Sequence, residues 1–175
     1  MKVVIAEDDT TFQEVLYRLC QKWGYEVLLA KDGTHAWEIL TSMTEPFVAL
    51  LDRLMPGLNG IELCQKINSA GLVVPKYLII VTSLGNNEEI IAGFNAGADD
   101  YVVKPFFSEE LRLRIRVGER IVMLQSSLSK NIVDLEQALT HIKTLQKILP
   151  VCSFCHRIQD DQESWQRIEH YLSEH

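Results

Sequence analysis

The chain has no stretch of eighteen consecutive apolar residues, so no segment reads as a membrane-spanning helix. It has no run of Lys or Arg. With a net charge of -7 and a pI near 5.2, a broad nucleic-acid footprint is not expected. Met1-Lys2 leads into an apolar run without a signal-peptide pattern, which gives the expectation of a cytoplasmic protein. Between Ser108 and Pro150 there is no proline, and Gly118 is the only glycine, so turns are disfavoured there. No helix-turn-helix pattern follows, and the tail is not basic, so DNA is an unexpected partner. Only four of the 175 residues are cysteines. Cys20 and Cys64 fall in helical patterns and read as small buried hydrophobes. Cys152 and Cys155 form a close pair, which in a reducing compartment points to metal or redox chemistry.

What the chain does have is four short, continuous apolar runs: Val3-Val4-Ile5-Ala6, Val48-Ala49-Leu50-Leu51, Leu78-Ile79-Ile80-Val81 and Tyr101-Val102-Val103. Such runs read as strands buried on both faces of a parallel sheet. Strands are predicted near 2–6, 25–30, 47–51, 77–82 and 100–103, and helices near 10–23, 34–43, 60–69 and 87–96, with a fifth from Ser108. Gly24, Gly71 and Gly97 mark helix ends, and Asp9 reads as the cap of the first helix. The alternation predicts an α/β fold, a five-stranded doubly wound parallel sheet.

Polar residues stand at or just past the ends of those runs: Glu7-Asp8-Asp9, Asp52, Thr82, and Lys104 followed by Pro105. In an open parallel sheet the carboxyl ends of the strands form the ligand crevice. Carboxylates, a hydroxyl and an amine gathered there suit a divalent cation and a phosphoryl group, because both ligands are held by charge and position.

These motifs, with Asp52-Arg-Leu-Met-Pro56 and Gly60 after the third strand and Thr82-Ser83 after the fourth, closely resemble those of response-regulator receiver (CheY-like) domains over residues 1–120. The resemblance implies roles. Asp52 would be the phosphoacceptor, taking its phosphoryl group from a sensor histidine kinase or phosphotransfer protein. Asp8 would bind magnesium directly and Glu7 largely through water, with the carbonyl of Arg53 facing the metal. Thr82 and Lys104 would sense the phosphoryl group, Tyr101 would be an aromatic switch, and Pro105 would follow a cis peptide. Such a protein is a phosphoacceptor and not an enzyme in its own right. Leu54 and Leu84 occupy positions that tune water access to the phosphoaspartate in such relatives.

Beyond Ser108 the apolar residues follow a seven-residue repeat: Ile121, Leu128, Leu135, Ile142 and Leu149, beside Val117, Leu124, Asn131, Ala138 and Leu145. This predicts a coiled coil over 108–149 and a homodimer through 117–149, with Asn131 as a polar seam residue that fixes register. The rival reading is a long amphipathic helix folded back on its own domain.

Pro150 ends that helix, leaving a tail over 150–175 with a short helix expected from Gln162 to Leu172. Its Leu149-Pro-Val-Cys-Ser-Phe-Cys-His segment resembles a C-terminal tail of bacterial signalling proteins, in which a second Cys-x-x-Cys completes a zinc-ribbon site. Three further readings stand beside it. Cys152, Cys155, His170 and His175 fit Cys2His2 zinc spacing, and His156 is another candidate ligand. Cys-x-x-Cys-His also fits covalent haem attachment. The simplest alternative is two free thiols packed near Trp165. The whole reads as a two-component response regulator whose dimeric coil passes a signal to an unknown output protein. The alternative is a dimeric scaffold whose tail recruits a partner.

Overall fold

Strand β1 (Lys2–Ala6) shows how the chain builds its core. Successive side chains of a strand point to opposite faces. Val4 and Ala6 enter one apolar cluster, while Val3 and Ile5 enter another on the far face. The same division runs through β3 (Phe47–Asp52) and β4 (Lys76–Thr82), so both faces of the sheet are covered. In this computed structural model, residues 1–83, 87–148, 152–159, 165–167 and 169 are described, with backbone alone for 141–148, 158 and 166.

The five strands, completed by β2 (Glu26–Ala30) and β5 (Asp100–Val103), are all parallel in the order β2-β1-β3-β4-β5. The helices are α1 (Thr10–Lys22), α2 (Gly33–Ser42), α3 (Gly60–Ser69), α4 (Asn87–Asn95) and α5 (Ser108–Ile148). This is the flavodoxin-like receiver arrangement expected from the sequence. The caps explain the boundaries. Asp9 Oδ1 accepts from the backbone N–H of Thr11 and Phe12, and Asp32 Oδ1 from that of His35. Asn59 and Glu62 form a reciprocal capping box at the start of α3.

Two compact units are distinguished, Met1–Ser127 and Leu128–His175. In the first, Leu111, Ile115 and Val122 of α5 are buried in the sheet cluster, and Gly118 lies on the same side. A Cβ on Gly118 would stand 2.5 Å from the Tyr77 ring, which explains a lone glycine inside this helix. Ile121, assigned from the sequence to the intermolecular seam, is partly buried against that same cluster.

In the second unit, Leu128, Ile132, Leu135 and Leu139 are exposed along α5. The tail departs from expectation. Trp165 and Gln166 form a short strand (β7) antiparallel to Ile158–Gln159 (β6), so strand replaces the helix predicted near 162–172 at these two residues, whereas Glu169 is helical and the other predicted positions, Arg167 apart, lie outside the described residues. A few apolar residues at helical spacing do not outweigh a cross-strand partner. The turn that precedes β6 is closed by Cys152 N–H donating to Arg157 O and His156 N–H to Cys152 O, both at 2.8 Å.

Candidate functional site

The order β2-β1-β3 places the end of β1 beside the end of β3, where the chain's direction across the sheet reverses. That crevice is where ligands sit in open α/β sheets. Glu7 and Asp8 follow β1, and Asp52 is the last residue of β3. One carboxylate oxygen from each of Glu7, Asp8 and Asp52 lies within 4.8 Å of the others, with Glu7 and Asp52 buried and Asp8 exposed. Three like charges at this spacing repel one another, and a cation relieves them. An all-oxygen donor set open to solvent on one side fits a hard, partly hydrated divalent ion such as magnesium.

The β5–α5 connection supplies the protein's own cation. Lys104 Nζ donates to Asp52 Oδ1 at 2.7 Å and to Glu7 Oε2 at 2.8 Å. It also lies 4.1 Å from the centre of the Phe12 ring. The Lys104–Pro105 peptide is cis. Burial alone would lower the Lys104 pKa, but Asp52 and Glu7 outweigh it and hold the ammonium above its usual value. Burial raises Glu7 above the usual carboxylate range, and Asp52 adds to the rise while Lys104 opposes it. Asp52 Oδ2 accepts from Leu54 N–H at 3.0 Å, so both oxygens of this carboxylate are held.

Thr82 ends β4 and is buried. Its side chain hydrogen-bonds the Tyr101 phenol, whose pKa is raised chiefly by burial. The Arg53 carbonyl, expected to face the metal, accepts from Gly60 N–H at 3.0 Å and so helps close the β3–α3 loop. Gly60 has to be a glycine for this approach, because a Cβ would stand 2.4 Å from the Asp52 carbonyl oxygen. Asp9 takes the capping role and does not join the carboxylate cluster. Leu54 is 61% exposed, whereas Leu84 lies outside the described residues.

Two supporting residues, Gln13 and Phe12, and the side-chain role of Arg53 were not read from the sequence. Gln13 Nε2 donates to Glu7 O at 2.9 Å and Ala30 O at 2.8 Å, fixing the loop that carries Glu7 and Asp8. Phe12 offers its ring to Lys104 and packs edge-on to Phe106. Arg53 forms an ion pair with Glu89 at the start of α4. None has a local signal, because each partner comes from another element.

In the tail, Cys152 and Cys155 sit in the turn before β6. Backbone N–H groups of Cys155 and Phe154 donate to the Cys152 sulfur and lower its pKa. His156 follows with a positive φ of 55°. His170 and His175 lie outside the described residues.

Comparison with known proteins agrees with the geometry. The response regulator receiver domain profile matches residues 3–116. Response regulator RppA of Synechocystis sp. is 38% identical over 121 residues, covering 69% of this chain and 51% of that protein. Response regulator MprA of Mycobacterium leprae is 40% identical over 116 residues, 66% of this chain and 50% of that one. The chain thus spans about half the length of these curated relatives. Among solved structures, the Francisella response regulator 1452 receiver domain superposes with a TM-score of 0.62 at 29% identity, covering 66% of this chain and 93% of that one. The BeF3-activated receiver domain of Klebsiella pneumoniae RstA gives 0.62 at 26%, covering 67% and 97%. With a parallel sheet in receiver order, acids at the ends of β1 and β3, and a family profile over most of its length, the chain belongs to the response regulator receiver domain family.

Proposed function

We propose that the protein is a two-component response regulator that accepts a phosphoryl group on Asp52 from a sensor histidine kinase or a phosphotransfer protein. The observation that carries this reading is the Lys104 ammonium held between Asp52 and Glu7, with Asp8 beside them. In the transfer, an Asp52 oxygen forms a new P–O bond as the donor's P–N bond breaks, and the imidazole leaves with the electron pair. A bound magnesium ion would neutralise charge on the transferring oxygens. Glu7, Asp8 and Asp52 would hold it. Lys104 would stay with an oxygen of the product, and the Leu54 N–H already orients Asp52. Thr82 and Tyr101 would read the product out toward α4, β5 and α5. The product is a modified side chain, so the protein would act as a phosphoacceptor, working in the cytoplasm.

Signal output would run through α5. Leu124, Leu128 and Leu135 are each at least 61% exposed, and their heptad spacing supports a homodimeric coiled coil. The scaffold alternative differs in one respect, that phosphorylation of Asp52 would not be the switch. Acetyl phosphate with magnesium should label the wild type once and leave Asp52→Asn unlabelled, as read by intact mass spectrometry. Equal labelling of both would reject the assignment.

A second reading concerns the tail alone. Two N–H donors to the Cys152 sulfur favour a thiolate, the form that binds soft metals. Cys152 and Cys155 would supply two zinc ligands, with His156, His170 and His175 as further candidates. Elemental analysis of protein purified without chelator tests this, and a zinc content near zero rejects it.

A further inference from the structure

Arg53 directly follows Asp52, and its side chain is only 17% exposed. Its guanidinium pairs with Glu89, in the first turn of α4, whose side chain is 25% exposed. The Nη1 atom of Arg53 is buried and has no hydrogen-bond partner. Groups this far removed from water differ from a surface ion pair, because loss of one partner strands the other charge. The pair also ties two parts of the fold together. Asp52 and Arg53 lead into the β3–α3 loop, while Glu89 opens the helix that follows β4. Both charges act on Tyr101, Arg53 lowering and Glu89 raising its phenol pKa, so they lie within reach of the aromatic ring that Thr82 contacts.

We infer that Arg53 is a positioning residue that couples the charge on Asp52 to the docking of α4. The inference rests on the phosphoacceptor reading above. In the unmodified protein Glu89 engages the Arg53 guanidinium and holds the start of α4 to the loop. A phosphoryl group carries about -1.5 to -2 charge, and it would arrive on the neighbouring residue. A guanidinium presents five donors in a planar fork that matches phosphoryl oxygens, and Nη1 is a donor still to be used. The added charge therefore competes with Glu89 for Arg53, and α4 loosens as the competition is won. A lysine at the same position keeps the charge but not the fork, so it preserves only part of the coupling.

The test compares wild type, Arg53→Gln, Glu89→Gln, the double variant and Arg53→Lys by amide hydrogen exchange over residues 87–95. Each is measured before and after acetyl phosphate with magnesium, while intact mass reads phosphoryl uptake. In the unmodified protein each glutamine variant should exchange about threefold faster over α4, and the double variant no faster than the faster single one. Arg53→Lys should fall between. Phosphorylated wild type should match unmodified Arg53→Gln, and exchange over β1 should be the same in all five, which separates loosening of α4 from general destabilisation. Additive single effects, or wild-type exchange in Arg53→Gln, overturn the coupling. A wild type that takes up no phosphoryl group sinks the phosphoacceptor reading and the coupling with it, whereas the unmodified variants still read the ion pair itself.

Discussion

Lys104 Nζ lies 2.7 Å from Asp52 Oδ1, and this one ammonium serves a cluster of three acids. The cluster is therefore short of positive charge when no metal is bound. Replacing Asp52 with Asn removes one acid and leaves the Lys104–Glu7 pair, 2.8 Å long, intact. Asp52→Asn should stabilise the metal-free protein by about 1 kcal/mol. Lys104→Met should do the opposite, costing about 3 kcal/mol because buried carboxylates lose their partner. Thermal unfolding in chelator reads both. Magnesium should then raise the melting temperature of the wild type more than that of Asp52→Asn. A lower melting temperature for Asp52→Asn in chelator would contradict the charge argument.

Gln13 holds the metal-side loop through two carbonyls, those of Glu7 and Ala30. Gln13→Leu keeps similar bulk but removes both donors. The expected stability loss is about 1–2 kcal/mol. Glu7 and Asp8 should also lose their fixed positions, weakening magnesium binding severalfold in a calorimetric titration. Unchanged magnesium affinity would confine Gln13 to a purely structural role.

These residues show how far the sequence could be read. The strand ends were legible because continuous apolar runs have few alternatives to a covered parallel sheet, and Asp52, Thr82 and Lys104 sit at or beside those ends. Asp9 was legible as a cap because capping is local. Arg53–Glu89 and Gln13–Ala30 were not, since they join residues brought together only by the crossovers of the sheet. The heptad pattern also hid a division of labour. Its early member Ile121 lies against the sheet cluster, while Leu128 and Leu135 are exposed. The spacing is the same for both, and the register of α5 on the sheet decides which is covered. At Trp165 and Gln166 pairing with Ile158–Gln159 takes the place of the expected helix, because so short a segment gives too few turns to establish a period.

Tyr25 gives a pH dependence with a defined sign. Its phenol donates to Glu119 at 3.0 Å, joining the start of β2 to α5. Burial, then Glu119, pushes its pKa from 10.0 up to about 12. A group raised on folding contributes stability that is complete below its unfolded value and is lost as pH climbs through its folded value. The contribution of Tyr25 should therefore be intact at pH 9 and fade between about pH 10 and 12. Allowing for solvent screening, its size is on the order of 1 kcal/mol. Denaturant unfolding of wild type and Tyr25→Phe should differ below this window and converge above it. A difference that persists unchanged to pH 12 would leave the phenol proton without a role.

The exposed stripe of α5 is the surface through which the proposed output would run. Leu128, Ile132, Leu135 and Leu139 lie on a helix that the fold leaves uncovered among the described residues. A second copy supplies the same residues in the same order, which is what a parallel seam requires. Leu128→Glu combined with Leu135→Glu should convert a dimer to a monomer in sedimentation analysis. The receiver should still take up phosphoryl on Asp52 in that variant, because its core ends at Val122 on this helix. Asn131 adds a sharper test. A polar residue inside a seam fixes register and strand number at some cost in stability. Asn131→Leu should therefore give a more stable assembly with mixed oligomeric states. A clean monomer in both wild type and Asn131→Leu would mean that the heptad spacing serves some face other than a self-association seam.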